Sequence, residues 1–406
     1  MTAPHPAAEA AAAAPDRPFQ TRPTLLDDPK TIRKLEINLR RNREQDQTGN
    51  MEAGAGVFRY EDWKDHRWNP ERYSLLYGTK LWEQADERQR TLLNQLYWVA
   101  YYSQIISAEV ATIFFNQTSA AGLYAQEDFR LVCDTLDLES VQERAHIATF
   151  RRVAEATEHA LFGERLFTWP MRGPYAETMV HADTNVFREW WKRLNLYAFG
   201  LLSSGNSFIA CQYFTIRGVR TLNGKLVQHQ LSQYHMRNPV PDTSALPAKI
   251  SYWHFMDESF HFNSSTIISH DVVRSLAPPT KFEQWVVNQA LDGCQRDHAG
   301  FSVVINGIFW HDPSLYDTVH RLLRSSHFGM DEGGAREMMR AIFTEESDGL
   351  HESFRTHTTA RESYKSYVDE MPYVTAENRE MRRMGQASVA GWLATNRAAF
   401  QRWSPR

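Results

Sequence analysis

The pattern of apolar and polar positions changes period several times along the chain, and each change marks an element. Residues from about 30 to 44 set Ile and Leu at helical spacing among Lys and Arg, which predicts a basic amphipathic helix packing its apolar edge on the rest of the protein. Gly49 to Gly56 reads as a loop. From about Trp82 to Asn116 the chain becomes apolar on nearly every side, as in Leu96-Tyr-Trp-Val-Ala-Tyr-Tyr, which predicts a buried helix. An amphipathic helix follows over about 126 to 163. After the Trp169-Pro170 connection, a third long helix is predicted over about 185 to 217, with a polar centre between apolar flanks. Asn223-Gly224 marks a short hairpin, and a fourth helix runs over about 249 to 273. Beyond Pro278-Pro279 several more helices complete an all-α chain.

Polar residues that interrupt these apolar helices carry the candidate chemistry. Glu109 sits in the middle of the buried helix, where an isolated carboxylate would take up a proton unless it were paired or bound to a cation. The fourth helix holds His254, Glu258 and His261, which at about 100° per residue leave from an arc of roughly 60°. The second repeats the pattern with Glu139, Glu143 and His146. Two helices presenting Glu-x-x-His toward one core are the arrangement that holds two metal ions in a ferritin-like bundle. The six metal-binding and catalytic candidates are therefore Glu109, Glu143, His146, His254, Glu258 and His261. Carboxylates and imidazoles suit iron, and the same donors accept manganese or a mixed pair. Asp257 and Glu139 adjoin these positions and are candidates to orient imidazoles or to pair with Arg144. Glu155, Glu158 and His159, further along the second helix, are expected to face solvent.

Composition narrows the class. At 406 residues and 42% hydrophobic the chain can bury a large core. Residues 1–24 are expected to be a disordered tail, and 25–406 one domain with its core bundle over about 84–273. A formal net charge of −4 gives no basic excess for nucleic acid or an anionic membrane. No window reaches eighteen uninterrupted apolar residues, and no secretory or transit signal is read at the start, so a cytoplasmic location is expected. Cys133, Cys211 and Cys294 show no metal or disulfide spacing and read as reduced core thiols. No dinucleotide or phosphate-loop signature appears in the right context, so electrons are expected from an external donor, a separate reductase or ferredoxin. His311, His320 and His327 are expected to be structural, and a homodimer is compatible with the sequence.

The motif His254-x-x-x-Glu258-x-x-His261 resembles the last bundle helix of the p-aminobenzoate N-oxygenase family of di-iron enzymes. Ser74-Leu-Leu-Tyr-Gly-Thr-Lys-Leu-Trp is similar to that family's lead-in, and the resemblance covers roughly residues 70 to 275. It implies two irons, O2 as co-substrate and a small organic substrate, with N-oxygenation of an amine or hydroxylation of carbon as the reaction. The chain departs from the family on the third helix. Its one carboxylate there, Glu189, lies seventeen residues before Asn206, roughly 25 Å along the axis. Asn206 is thus the candidate for the fourth carboxylate position, and it brings no charge. Two ferrous ions would meet only three carboxylates. A fatty-acyl hydroxylase or desaturase on the same fold, and a non-catalytic partner subunit with a degraded site, stay open on this reading.

Overall fold

The computed structural model describes residues 24–167, 229–232, 244–297, 306–310, 313–371 and 373–405, together with Phe187, Trp190, Arg193, Leu194 and Tyr197. Among them every long element is a helix, as expected. The bulk of the expected third helix, Asn206 within it, Cys211 and the Asn223-Gly224 hairpin lie outside the described residues.

Two helices set the frame. The longer, α4 (Glu87–Leu123), starts at a capping box in which the Asp86 side chain accepts the Gln89 amide and the Gln89 side chain returns the bond. From Leu92 to Ser107 it has no exposed face: Leu93, Leu96, Trp98, Tyr101 and Tyr102 are all fully buried. A short turn leads into α5 (Arg130–Phe162), which ends on Gly163 in the left-handed conformation that favours glycine. The two are antiparallel. The pairs Ala120 with Cys133, Asn116 with Leu136 and Tyr102 with Phe150 run in opposite directions along the chain.

The next long element, α6 (Leu246–His270), opens with Pro247 in its first turn, where the missing amide costs no helical bond. Trp98 of α4 donates its indole N–H to Pro247 O and Ser251 Oγ at 3.1 and 2.9 Å, tying the start of α6 to α4. The basic helix appears as expected as α1 (Pro29–Glu44), capped by Asp28. It is not merely a solvated face, because Asn38 donates to Phe260 O in α6 and Asn42 exchanges two hydrogen bonds with Gln142 in α5.

The glycine-rich stretch is a correction: it forms α2 (Thr48–Val57). Packing overrides the low helix propensity of glycine here. A Cβ on Gly54 would come within 3.2 Å of Leu246 and Trp253, so its small size lets α2 lie close on α6.

The C-terminal part covers the start of α4. The short α3 (Lys80–Gln84) is followed in that layer by α7 (Lys281–Asp297), α8 (Tyr316–Arg324), α9 (Glu332–Thr344), α10 (Asp348–Val368), α11 (Ala376–Arg379) and α12 (Val389–Arg402). One apolar cluster runs from Leu92 and Leu96 through Leu322, Met339, Ile342 and Tyr364. The lead-in segment meets α10 backbone to backbone, with the Gly349 amide donating to Gly78 O at 2.9 Å. A Cβ on Gly349 would sit 2.2 Å from Tyr77 O, so only glycine allows the crossing. His320 lies 3.2 Å from Glu332, and the His327 ring bonds Leu161 O, so both are structural as expected. His311 lies outside the described residues.

Candidate metal centre

Helices α5 and α6 carry the same unusual stripe. Glu139, Gln142, Glu143 and His146 on α5, and His254, Asp257, Glu258 and His261 on α6, both fall at i, i+3, i+4 and i+7. That spacing marks the face a helix normally fills with Leu and Ile. All eight residues are buried, none more than 7% exposed. Glu109 of α4 is buried opposite them.

The six expected residues come together. Donor atoms of Glu109, His146, His254 and Glu258 lie within 4.8 Å of one another, as do those of Glu143, Glu258 and His261. Glu258 belongs to both groups, and its Oε1 is the hub. It stands 2.9 Å from His261 Nδ1, 3.6 Å from His254 Nε2 and 3.7 Å from His146 Nδ1. Glu109 Oε1 is 3.1 Å from His254 Nε2 and 3.7 Å from His146 Nδ1. Glu143 approaches His146 Nδ1 at 3.5 Å and His261 Nδ1 at 3.4 Å.

Outer partners choose which ring nitrogen turns inward. His146 Nε2 donates to Asp257 Oδ2 at 3.2 Å, leaving Nδ1 to face the cluster. His261 Nε2 donates to Gln142 Oε1 at 2.9 Å and likewise leaves Nδ1 inward. Asp257 also accepts the Gln47 amide from the corner between α1 and α2. Of the two neighbours considered for orienting imidazoles, Asp257 does so. Glu139 instead accepts from Ser264 Oγ and from Asn116 Nδ2.

Electrostatics show what the pocket selects. Burial alone would neutralise every group. Burial raises Glu109, with His146 and His254 pulling the other way. Burial and the Glu258 charge also push Glu143 up, but His146 and His261 outweigh them and leave it lowered. Against the same burial, His261 and His254 hold Glu258 well below the usual carboxylate range. Burial opposes the charge on His146 and His261, yet their carboxylate partners hold both well above the ordinary histidine value. The cluster therefore wants positive charge at its centre, and protons on imidazole supply it when nothing else does.

A metal pair fits better than protons. Glu109 Oε2, Glu143 Oε2 and His146 Nδ1 are buried and take no hydrogen bond. Orphaned buried donors and acceptors of this kind are rare unless another group completes them. Three such atoms on converging side chains of cation-binding type fit a pair of divalent ions, with Glu258 placed to touch both. An aromatic wall backs the site: the Phe150 ring is 4.7 Å from that of His254, and the Tyr102 ring is 5.9 Å from it.

One expectation about a neighbouring residue needs correction. Glu158 is fully buried rather than solvent-facing, because it accepts the backbone amides of Leu166 and Phe167 just after α5. Tyr197, within the span of the expected third helix, is 66% exposed. Sequence reasoning also missed Gln142 and Asn42. The visible signal was Gln142 within the polar stripe, next to Glu143 at a position where a core residue belongs.

Residues 30–404 match one family, described as "acyl halogenase CylC-like". No curated protein and no solved structure matches. The resemblance to the p-aminobenzoate N-oxygenases is thereby corrected to what is common to both: a ferritin-like fold with buried carboxylates and histidines for two irons. Those common features were the ones His254-x-x-x-Glu258-x-x-His261 carried, and the motif does not report the atom being oxidised. Spanning nearly the whole chain, the match shows that this protein belongs to the CylC-like acyl halogenase family, di-iron oxidoreductases of ferritin-like fold.

Proposed function

We propose that this chain halogenates an acyl substrate, replacing a C–H hydrogen with halide in an O2-dependent reaction at two irons. The observation that carries the reading is the convergence of Glu109, Glu143, His146, His254, Glu258 and His261 into two clusters sharing Glu258. The family description supplies the acyl substrate and the halogen. The net reaction consumes the C–H bond, one halide, O2, two electrons and three protons, and yields the halogenated acyl group and two waters. The electrons come from an external donor, a reductase or ferredoxin.

Bound at this site, the iron pair would supply the reduction of O2 and an attachment point for halide. The chain's own residues do the rest. Glu109, His146, His254 and Glu258 would hold one ion, and Glu143, His261 and Glu258 would hold the other. Asp257 and Gln142 fix the His146 and His261 rings so that each presents Nδ1. Five buried carboxylates thus surround the two ferrous ions, three within the ligand set and two, Asp257 and Glu139, behind the histidines. Phe150 and Tyr102 keep water from the inner side of His254.

The test loads the protein with ferrous iron anaerobically, then adds O2, chloride, a reductant and a series of fatty acyl thioesters of graded length. Mass spectrometry should find an acyl product carrying the chlorine isotope pattern, and bromide should replace it. A hydroxylated or desaturated acyl chain without halogen would overturn the halogenase assignment and favour the hydroxylase or desaturase reading. A chain that takes up no iron would favour the non-catalytic subunit.

A further inference from the structure

The two clusters differ in what stands behind their histidines, and that difference ranks them. His146 is backed by a carboxylate oxygen, Asp257 Oδ2, and the Gln47 amide fixes the other oxygen, Oδ1, at 2.8 Å. His261 is backed by an amide, Gln142 Oε1, fixed by Asn42. A carboxylate behind an imidazole raises its basicity and strengthens its bond to a metal; an amide orients the ring with little such effect. Glu139 also acts on His261, but through space, its oxygens being engaged by Ser264 and Asn116. Donor number points the same way. Among the described residues the first cluster offers four side chains, with two imidazoles, and the second offers three, with one.

We propose that the cluster of Glu109, His146, His254 and Glu258 takes its cation first and more tightly, that the cluster of Glu143, His261 and Glu258 fills second, and that Asp257 is the positioning residue that sets this order. The inference rests on the two-metal reading above. It also gives the corner between α1 and α2 a role: Asn42 and Gln47 brace the outer partners of the second and first site respectively, so one external corner steadies both.

The experiment is an anaerobic titration of the metal-free chain with Co(II), followed by visible absorption and calorimetry. Two resolved steps are expected. Asp257→Asn, which keeps shape and removes charge, should weaken the first step about 10- to 100-fold and leave the second in place, so the steps converge. Gln142→Glu should do the opposite and strengthen the second step alone. One equivalent of Mn(II) in a crystal should give an anomalous peak between His146 and His254. Two indistinguishable steps in the unaltered chain, or a first peak beside His261, would overturn the proposal. So would an Asp257→Asn variant that weakens both steps alike. If that variant does not fold, Gln142→Glu decides: no selective gain at the second step overturns the proposal. No cobalt binding at all would instead sink the two-metal reading on which it stands.

Discussion

Helix α5 carries Glu and His together twice, with opposite outcomes. Around Glu143 and His146 the side chains face others arriving from α4 and α6, and acceptor and donor atoms are left unsatisfied at the centre. Twelve residues on, about 18 Å along the axis, Glu158 is just as buried, but it accepts two amides from the backbone that follows the helix. His159 beside it is exposed and Glu155 pairs with Arg165. Burial of a carboxylate is therefore not what distinguishes a metal position. What distinguishes it is convergence from several helices together with coordination left unfilled.

The sharpest way to break the comparison is Glu258→Ala, which removes the oxygen common to both clusters. Metal content should fall from two per chain to none, read by elemental analysis, with activity lost. Glu158→Ala should do the reverse. It leaves two buried amides without an acceptor, costing about 3 kcal/mol in denaturant unfolding, while metal content stays at two. Chelating the metal from the unaltered chain should lower its unfolding free energy by about 2.7 kcal/mol for each ion removed, relative to metal present at a hundred times its dissociation constant. The same chelation should leave Glu258→Ala unmoved, because there is no metal to remove. The smallest effect belongs to His159→Ala, expected within about 0.5 kcal/mol with unchanged metal content. A larger shift, or any metal loss, would erase the distinction between the two halves of α5.

Much of this was readable beforehand, for identifiable reasons. The positions of α1, α4, α5 and α6 follow from periodicity over long segments, where the pattern repeats often enough to be unambiguous. The six convergent residues were visible because charge inside an apolar helix is expensive and needs a cause. The helix through Gly49 and Gly56 was hidden because its reason lies in Leu246 and Trp253, some two hundred residues away. Glu158 was hidden likewise, since its acceptor role depends on where the chain turns after Gly163. Membership of an acyl halogenase family instead of the N-oxygenases was out of reach of the His-x-x-x-Glu-x-x-His motif, which fixes how cations are held and leaves substrate unspecified.

The close crossing of Gly78 and Gly349 also bears on how the protein is made. Synthesis runs from the N-terminus, so all six convergent residues, the last of them His261, emerge well before Gly349. Helices α4, α5 and α6 can pair and gather their donors while the start of α4 still lacks its C-terminal cover. The lead-in waits for a contact some 270 positions further along, the kind of long-range closure that is slow to form. The fold therefore allows a window during biogenesis in which the metal cluster is assembled and the molecule around it is not yet shut.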